Sequence, residues 1–150
     1  MILSIDPGSE KTGIAVVKKD GNLVMKKIIK TECLEEEIKI LSKKFEITET
    51  AIGNGTHHKK LEKRIEKLYE EMKKEIPISI VDEKYTTEIG EQWYKKANPP
   101  KGWKRIIPFG MRTVDKPVDD YVAWVIACIH LGKIEAEDVG HKKNIKHKYN

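Results

Sequence analysis

The sequence lacks the features that mark membrane-spanning or disulfide-rich proteins. Its 150 residues include only two cysteines, Cys33 and Cys128, which fit neither a disulfide framework nor a metal-binding spacing. Both lie in stretches with apolar periodicity, so we expect both to be buried thiols. No apolar run approaches the roughly 20 residues of a bilayer helix. An acid and a glycine interrupt the apolar start where an export signal would continue, so we expect a cytoplasmic protein without membrane association.

Arginine is also scarce, although the chain is basic. The 29 basic residues include only three arginines, and 24 acidic residues leave a net charge of +5. Hydrophobic residues make up 39% and charged residues 35%, which is typical of a single globular domain with a highly charged surface. A composition rich in lysine and glutamate is also a trend in proteins from hot habitats. The charge is therefore compatible with a nucleic-acid partner without establishing one.

The apolar patterns predict an α/β domain that starts with an antiparallel meander. The predicted elements, in chain order, are strands 1–6, 11–19 and 23–30, helix 34–45, strand 50–53, helix 58–75, strand 77–82, a helix ending near 96, and helix 122–131. Thr86 or Thr87 is expected to cap the third helix, and Asp119 or Asp120 the last. A meander followed by alternating helices and strands predicts a mixed sheet with helices on its faces.

Acidic residues stand at the ends of core elements in three places. Asp6 ends the first strand, Asp82 and Glu83 follow the last strand, and Asp119 and Asp120 precede the last helix. Alone, each is also consistent with an ordinary turn, a solvated loop or a helix cap. Ligands bind at the carboxyl ends of strands in open α/β sheets. Clustered carboxylates repel one another, and a divalent cation such as Mg²⁺ removes that repulsion. Together these acids predict a metal site that could hydrolyse a phosphodiester.

Four segments resemble, in order, motifs of the RuvC and YqgF families of ribonuclease-H-like proteins. Both families open with a segment similar to ILSIDPGSEKTGIAVV. The YqgF-like domain of the Tex family contains a segment similar to AIGNGTHHKKLE, and YqgF proteins contain one similar to VDEKYTTEIGE. The closing helix of RuvC and YqgF proteins resembles KPVDDYVAWVIACIHLGK. Four such motifs in this order are hard to obtain by chance.

The resemblance implies a ribonuclease-H-like α/β fold over residues 1–132, followed by a basic tail over 133–150. The implied sheet is five-stranded and mixed, with the order 3-2-1-4-5 and helices on both faces. Asp6, Glu83 and Asp120 are the implied catalytic carboxylates and metal ligands, with Asp119 as a spare ligand beside them. Mg²⁺ or Mn²⁺ is the implied cofactor.

Two positions depart from the family patterns. RuvC has its second carboxylate at the end of the fourth strand, where this sequence has Asn54, so the chain follows YqgF and Tex instead. Lys84 stands where YqgF proteins usually have arginine. Junction specificity therefore stays open. RuvC acts as a dimer, so the resemblance allows a homodimer, although the sequence shows no matching dimer face.

Basic side chains near the acids form a predicted nucleic-acid surface. The candidates are Lys11, His57, His58, Lys59, Lys84, Lys101, Trp103, Lys104 and Arg105. Phosphate contacts from such groups give affinity without sequence choice. Trp103 could stack on a base or, equally, anchor the loop by partial burial. The two histidines could instead have capping or surface roles.

The main hypothesis is a Mg²⁺- or Mn²⁺-dependent endonuclease. The resemblance implies cleavage that leaves a 5′-phosphate and a 3′-hydroxyl, in branched DNA as for RuvC or in a ribosomal RNA precursor as proposed for YqgF. A second hypothesis is a non-catalytic module for binding nucleic acid or protein on the same fold. A third, an ATP binder of the actin or sugar-kinase type, requires two such domains, and 150 residues supply one.

Overall fold

A computed structural model describes residues 1–114 and 116–134 of the protein. Its strands are β1 (Ile2–Asp6), β2 (Lys11–Val17), β3 (Leu23–Lys30), β4 (Glu49–Gly53) and β5 (Ile78–Val81). They form one sheet in the order β3-β2-β1-β4-β5, which confirms the predicted fold class. β1 pairs antiparallel with β2 and parallel with β4, and β4 pairs parallel with β5. The carboxyl ends of β1, β4 and β5 therefore meet at one edge of the sheet.

The helices cover both faces of the sheet, as predicted. They are α1 (Leu34–Lys44), α2 (His58–Glu71), α3 (Thr86–Ala97) and α4 (Asp119–His130). The first two pack on one face of the sheet and the last two on the other. Short 3₁₀ turns at Gly102–Ile106 and Phe109–Met111 join α3 to α4.

Side-chain alternation along β1 explains how this central strand serves both faces. Leu3 and Ile5 pack with α1 and α2, whereas Ile2 packs with α3 and α4. The intervening Ser4 is buried and donates a hydrogen bond of 2.6 Å to the carbonyl of Ala123 in α4. This bond satisfies a buried hydroxyl and ties the first half of α4 to the strand that carries Asp6.

The ends of α2 and α4 use the same backbone motif, but only one has a sequence signal. After α4, Gly132 takes a φ of +67°, and the next amide donates to the carbonyl of Cys128. After α2, Lys73 takes a φ of +54°, and the amide of Lys74 donates to the carbonyl of Tyr69. Glycine usually occupies that left-handed position. Because lysine occupies this position, the sequence lacks the usual signal for a helix end. The predicted helix, 58–75, is therefore four residues longer than α2.

Three further expectations differ from the structure. Neither predicted threonine caps α3, whose N-cap is Tyr85; the hydroxyl of Thr86 instead donates to the carbonyl of Glu83 at 2.8 Å. Both Asp119 and Asp120 lie inside the first turn of α4 rather than at its cap.

The expected burial of Cys33 is also wrong, because the buried side of α1 starts at Leu34 and leaves Cys33 exposed. Cys128 is buried, as expected. No helix among the described residues is long and apolar enough to span a bilayer. Most of the predicted basic tail, residues 135–150, lies outside the described residues.

Candidate active site

Asp6 is the centre of an acidic cluster at the carboxyl end of β1. Its carboxyl group shares hydrogen bonds with Glu83 and with Asp119. Burial, followed by the charge of Glu83 and then that of Asp119, raises the pKa of Asp6 to about 8. In the metal-free protein at neutral pH, Asp6 therefore retains a proton that an exposed aspartate would have released.

Backbone hydrogen bonds hold the loop that carries Glu83. Its amide donates to Oδ1 of Asn54 at 2.9 Å, and the amide of Asn54 donates to the carbonyl of Val81 at 2.9 Å. Tyr85 takes a φ of +67°, an uncommon conformation for a bulky residue, and turns the chain into α3. The side chain of Asn54 thus positions the backbone of Glu83.

Two glycines leave room for the side chain of Glu83. A Cβ on Gly53 would lie 1.8 Å from Oε1 of Glu83, and one on Gly55 would lie 2.8 Å from Oε2. Among the described residues, Oε1 is buried and has no hydrogen-bond partner. Burial raises the pKa of Glu83, while its hydrogen bond with Asp6 and the charge of His58 oppose that rise.

The two neighbouring aspartates of α4 have different partners. Asp119 joins Asp6, and a Cβ on Gly13 would lie 1.9 Å from the carbonyl oxygen of Asp119. Oδ2 of Asp120 instead accepts a bond of 2.6 Å from the ammonium of Lys26 in β3. That ammonium also lies 3.9 Å from the ring centre of Tyr121. The structure therefore groups Asp119, rather than Asp120, with Asp6 and Glu83.

The two histidines lie at the start of α2, beside this cluster. His57 is the exposed N-cap residue and makes no capping bond through its side chain. His58 is half-buried, and its Nδ1 lies 2.7 Å from the carbonyl oxygen of Gly55. Since a carbonyl can only accept, Nδ1 carries a proton, and this bond fixes the ring beside the glycine that packs on Glu83.

The remaining predicted contacts with nucleic acid are all on the surface. Trp103 is 72% exposed, which is more than its interpretation as a partly buried loop anchor predicts. The lysines and the arginine are exposed as well: Lys11, Lys59, Lys84, Lys101, Lys104 and Arg105.

Sequence reasoning missed Lys26 and Arg64 as supports of the site. Arg64 binds both carboxylate oxygens of Glu35 at 2.6 Å and the carbonyl of Thr31 at 2.9 Å. Thr31 in turn donates to the carbonyl of Gly8, in the turn after Asp6. Neither cation lies in a motif. Apolar residues at three-to-four spacing identify the buried side of a helix. This periodicity does not reveal ion pairs between residues on separate elements.

The donor set fits a hard divalent cation. It consists of carboxylate oxygens, the ligands that Mg²⁺ prefers, and it includes the unpartnered Oε1 of Glu83. A cation would replace the proton on Asp6 as the charge that balances this cluster. Within the described residues, no group of three or more acidic, histidine or cysteine side chains is already spaced to enclose a metal ion. Binding would therefore exchange the present carboxyl hydrogen bonds for metal contacts.

Comparison with known proteins identifies the family. The family model described as the Tex protein YqgF-like domain matches residues 1–90, more than half of the chain. The chain belongs to the Tex YqgF-like domain family. No curated protein matches the sequence. The resemblance to RuvC and YqgF proteins inferred from the motifs is thereby confirmed, and the fold is of the nuclease type that those families share.

Similarity to solved structures extends over most of this Tex YqgF-like chain. The structure of RuvC from Thermus thermophilus matches with a TM-score of 0.50 and 13% identity, over 86% of this chain and 91% of that one. At that identity the match shows the fold alone. A candidate sugar kinase from Cytophaga hutchinsonii matches with a TM-score of 0.42 and 18% identity, over 62% of this chain and 39% of that one. That score carries no argument for kinase activity.

Proposed function

We propose that the protein is a divalent-metal-dependent endonuclease that hydrolyses phosphodiester bonds in structured nucleic acid. The observation that carries the proposal is the convergence of Asp6, Glu83 and Asp119 at the carboxyl end of β1. The three carboxyl groups come from three separate segments, and that of Asp6 stays protonated near neutral pH. An ordinary turn or helix cap requires neither feature. Membership of a family with a nuclease-type fold supports the same conclusion.

Asp6, Glu83 and Asp119 are the residues that would hold Mg²⁺ or Mn²⁺. When bound, such a cation lowers the pKa of its water ligand and stabilises the charge that develops on the phosphate. Asp6 provides the central carboxylate because it contacts both of the other acids. Asn54, Gly53 and Gly55 keep the side chain of Glu83 directed at Asp6.

The surrounding side chains neutralise and orient the substrate in this proposal. Lys11 and Lys84 are exposed next to the loops that carry Asp6 and Glu83, where they can bind the phosphate that is cleaved. Lys26 holds Asp120 away from the cluster and so leaves Asp119 as the third carboxylate. Asp120 therefore acts as a positioning residue.

The proposed substrates remain branched DNA and ribosomal RNA precursors. Both expose phosphodiesters next to irregular structure, and both would yield a 5′-phosphate and a 3′-hydroxyl. We further propose a cytoplasmic protein that acts without a membrane, with a homodimer as the assembly to test on symmetric four-way junctions.

A cleavage assay tests the proposal directly. Wild type and Asp6→Asn are incubated with Mg²⁺ or Mn²⁺ and a panel of four-way junction, flap, single strand and precursor-type RNA. We expect cleavage by the wild type and none by Asp6→Asn, which should still bind. Asp20→Asn, in the exposed hairpin turn, makes the same chemical change outside the cluster and should cleave normally.

The same assay separates the enzyme from a non-catalytic module. Binding without cleavage across the whole panel would reject the endonuclease and favour the module. Cleavage that persists in Asp6→Asn would show that the acidic cluster is not the active site.

A further inference from the structure

Large apolar side chains are exposed together on the connection between α3 and α4. We call residues 95–112 the platform. Among the described residues six large apolar side chains are exposed, and four of them belong to the platform: Trp103, Ile106, Phe109 and Met111. Ile106 is 83% exposed and Met111 75%. Such a group, bordered by polar residues, marks an interaction surface rather than random exposure.

The charge of the platform has one sign. It contains six basic residues and no acidic one, and the basic residues are Lys95, Lys96, Lys101, Lys104, Arg105 and Arg112. In α2, by contrast, lysines are interspersed with glutamates. A partner of the platform must therefore be anionic as well as able to contact apolar side chains.

Phe109 and Arg112 give the platform a fixed shape. The guanidinium of Arg112 lies 5.6 Å from the ring centre of Phe109, and the ammonium of Lys95 lies 5.8 Å from it. Nε of Arg112 donates to the carbonyl of Ile107 at 3.1 Å. Beside these residues is a cleft of about 590 Å³ that is lined by Lys101, Arg105 and Arg112. A cleft of that size accommodates a small organic group together with its charge.

Tyr121 connects the platform to the acidic cluster. Its hydroxyl lies 3.4 Å from Nδ2 of Asn98, and its ring packs edge-to-face on Tyr94 with centres 5.8 Å apart. Both partners line a second cleft, of about 550 Å³, on the platform. The ring of Tyr121 also lies 3.9 Å from the ammonium of Lys26, which binds Asp120. The platform therefore packs against the first turns of α4, the helix that carries Asp119.

Exposed apolar groups distinguish unpaired nucleotides from a duplex. A duplex keeps its base faces stacked inside and presents phosphates outward, so it gains little from Trp103 or Ile106. An unpaired base offers a free π-face to an aromatic ring, and the flanking phosphates suit lysine and arginine. An acidic protein could also contact apolar groups. However, a tryptophan amid cations, in a chain whose proposed function is phosphodiester hydrolysis, favours nucleic acid.

We propose that the platform binds an unpaired segment of the nucleic-acid substrate, with a base stacked on Trp103 and a phosphate in the cleft of Arg105 and Arg112. The inference rests on the proposed nuclease function and specifies its substrate: the cleaved nucleic acid has unpaired nucleotides next to the scissile bond. It also assigns a binding role to Arg112, which stands outside every motif in the sequence.

Binding in EDTA tests the platform without cleavage. The full chain is titrated against a labelled single-stranded oligonucleotide and the blunt duplex of the same sequence, with fluorescence anisotropy as the readout. We expect tighter binding of the single strand. Trp103→Ala should weaken that binding roughly 5- to 150-fold, the range of base stacking on an aromatic ring, and Trp103→Phe should restore most of it. Ile40→Ala removes a large exposed apolar side chain from α1 and should have no effect.

The outcomes separate this inference from the proposed function. Equal affinity for single strand and duplex, or an unchanged affinity in Trp103→Ala, overturns the platform even if the protein cleaves. Single-strand binding through Trp103 without cleavage of any substrate supports the platform and rejects the endonuclease. Failure to bind either oligonucleotide overturns the platform and would favour an acidic protein as its partner.

Discussion

The protonation state of Asp6 gives the metal-free protein a defined pH dependence. The pKa of this carboxyl rises from 3.8 to about 8 on folding. Between these values the folded state binds a proton that the unfolded state has released, so the free energy of unfolding falls as the pH rises. Asp6→Asn removes this loss of stability at high pH, because asparagine does not titrate. We expect its Tm in EDTA to exceed that of the wild type at pH 8 by about 2–4 °C for each kcal/mol regained, and to match it near pH 4.

Asp20 provides the matched control for this prediction. A backbone hydrogen bond from Asn22 lowers the pKa of Asp20, which is the opposite shift. Asp20→Asn should therefore give no increase in Tm at pH 8. Adding Mg²⁺ at pH 8 should raise the Tm of the wild type more than that of Asp6→Asn, because only the wild type has all three carboxylates. A wild-type Tm that is flat from pH 4 to 8 would contradict the raised pKa.

The partners of Asp119 and Asp120 predict different consequences for the same substitution. Asp119 contacts Asp6, whereas Asp120 is bound to Lys26 at 2.6 Å. We expect Asp119→Asn to reduce cleavage at least about 100-fold through loss of a metal ligand. Asp120→Asn should reduce it less, by about 10- to 100-fold, as for loss of a supporting contact. Initial cleavage rates at saturating Mg²⁺ measure the effect of each substitution. A larger loss of activity in Asp120→Asn than in Asp119→Asn would make Asp120 the third ligand, as the resemblance alone implied.

Among the secondary-structure elements, β4 controls the site through its last residue. A Cβ on Gly53 would lie 1.8 Å from a carboxylate oxygen of Glu83 and 2.5 Å from two of its carbons. Gly53→Ala must therefore displace the side chain of Glu83, to which the three atoms nearest the added carbon belong. We expect cleavage to be lost and the free energy of unfolding to change by no more than about 1–3 kcal/mol. Gly110→Ala, with no atom within 4 Å of the added carbon, should leave the free energy of unfolding unchanged.

Most element boundaries could be predicted because they depend on local and repeating signals, whereas the sheet order was implied by the resemblance to RuvC and YqgF proteins. Apolar patterns located β1 to β3, and the apolar pattern that ends at residue 131 located the end of α4 to within one residue. The end of α2 could not be predicted, since Lys73 takes a conformation that usually requires glycine. The bonds of Asn54 to the Glu83 loop and of Lys26 to Asp120 were also not predictable. They join residues far apart in sequence, and their geometry depends on the completed sheet.

The acidic cluster and the platform differ in how well the sequence revealed them. Asp6 and Glu83 stand at strand ends, so the topology alone brings them to one edge of the sheet. The choice between Asp119 and Asp120 depends on the rotation of α4, which Ser4 and the approach of Gly13 determine. In the platform, the cations were visible in the sequence, but the exposure of the apolar side chains was not.

For the whole molecule, binding should depend on where the positive charge is located rather than on the net charge of +5. Each phosphate contact to a single strand contributes about −0.7 to the slope of log K against log salt. Lys101→Gln combined with Lys104→Gln should therefore make the slope shallower by about 1.4 if both contact phosphates. Lys43→Gln combined with Lys63→Gln changes the net charge equally on α1 and α2, away from the platform, and should preserve the slope. Equal effects of both pairs in a salt titration would mean that the overall charge, not the platform, attracts the nucleic acid.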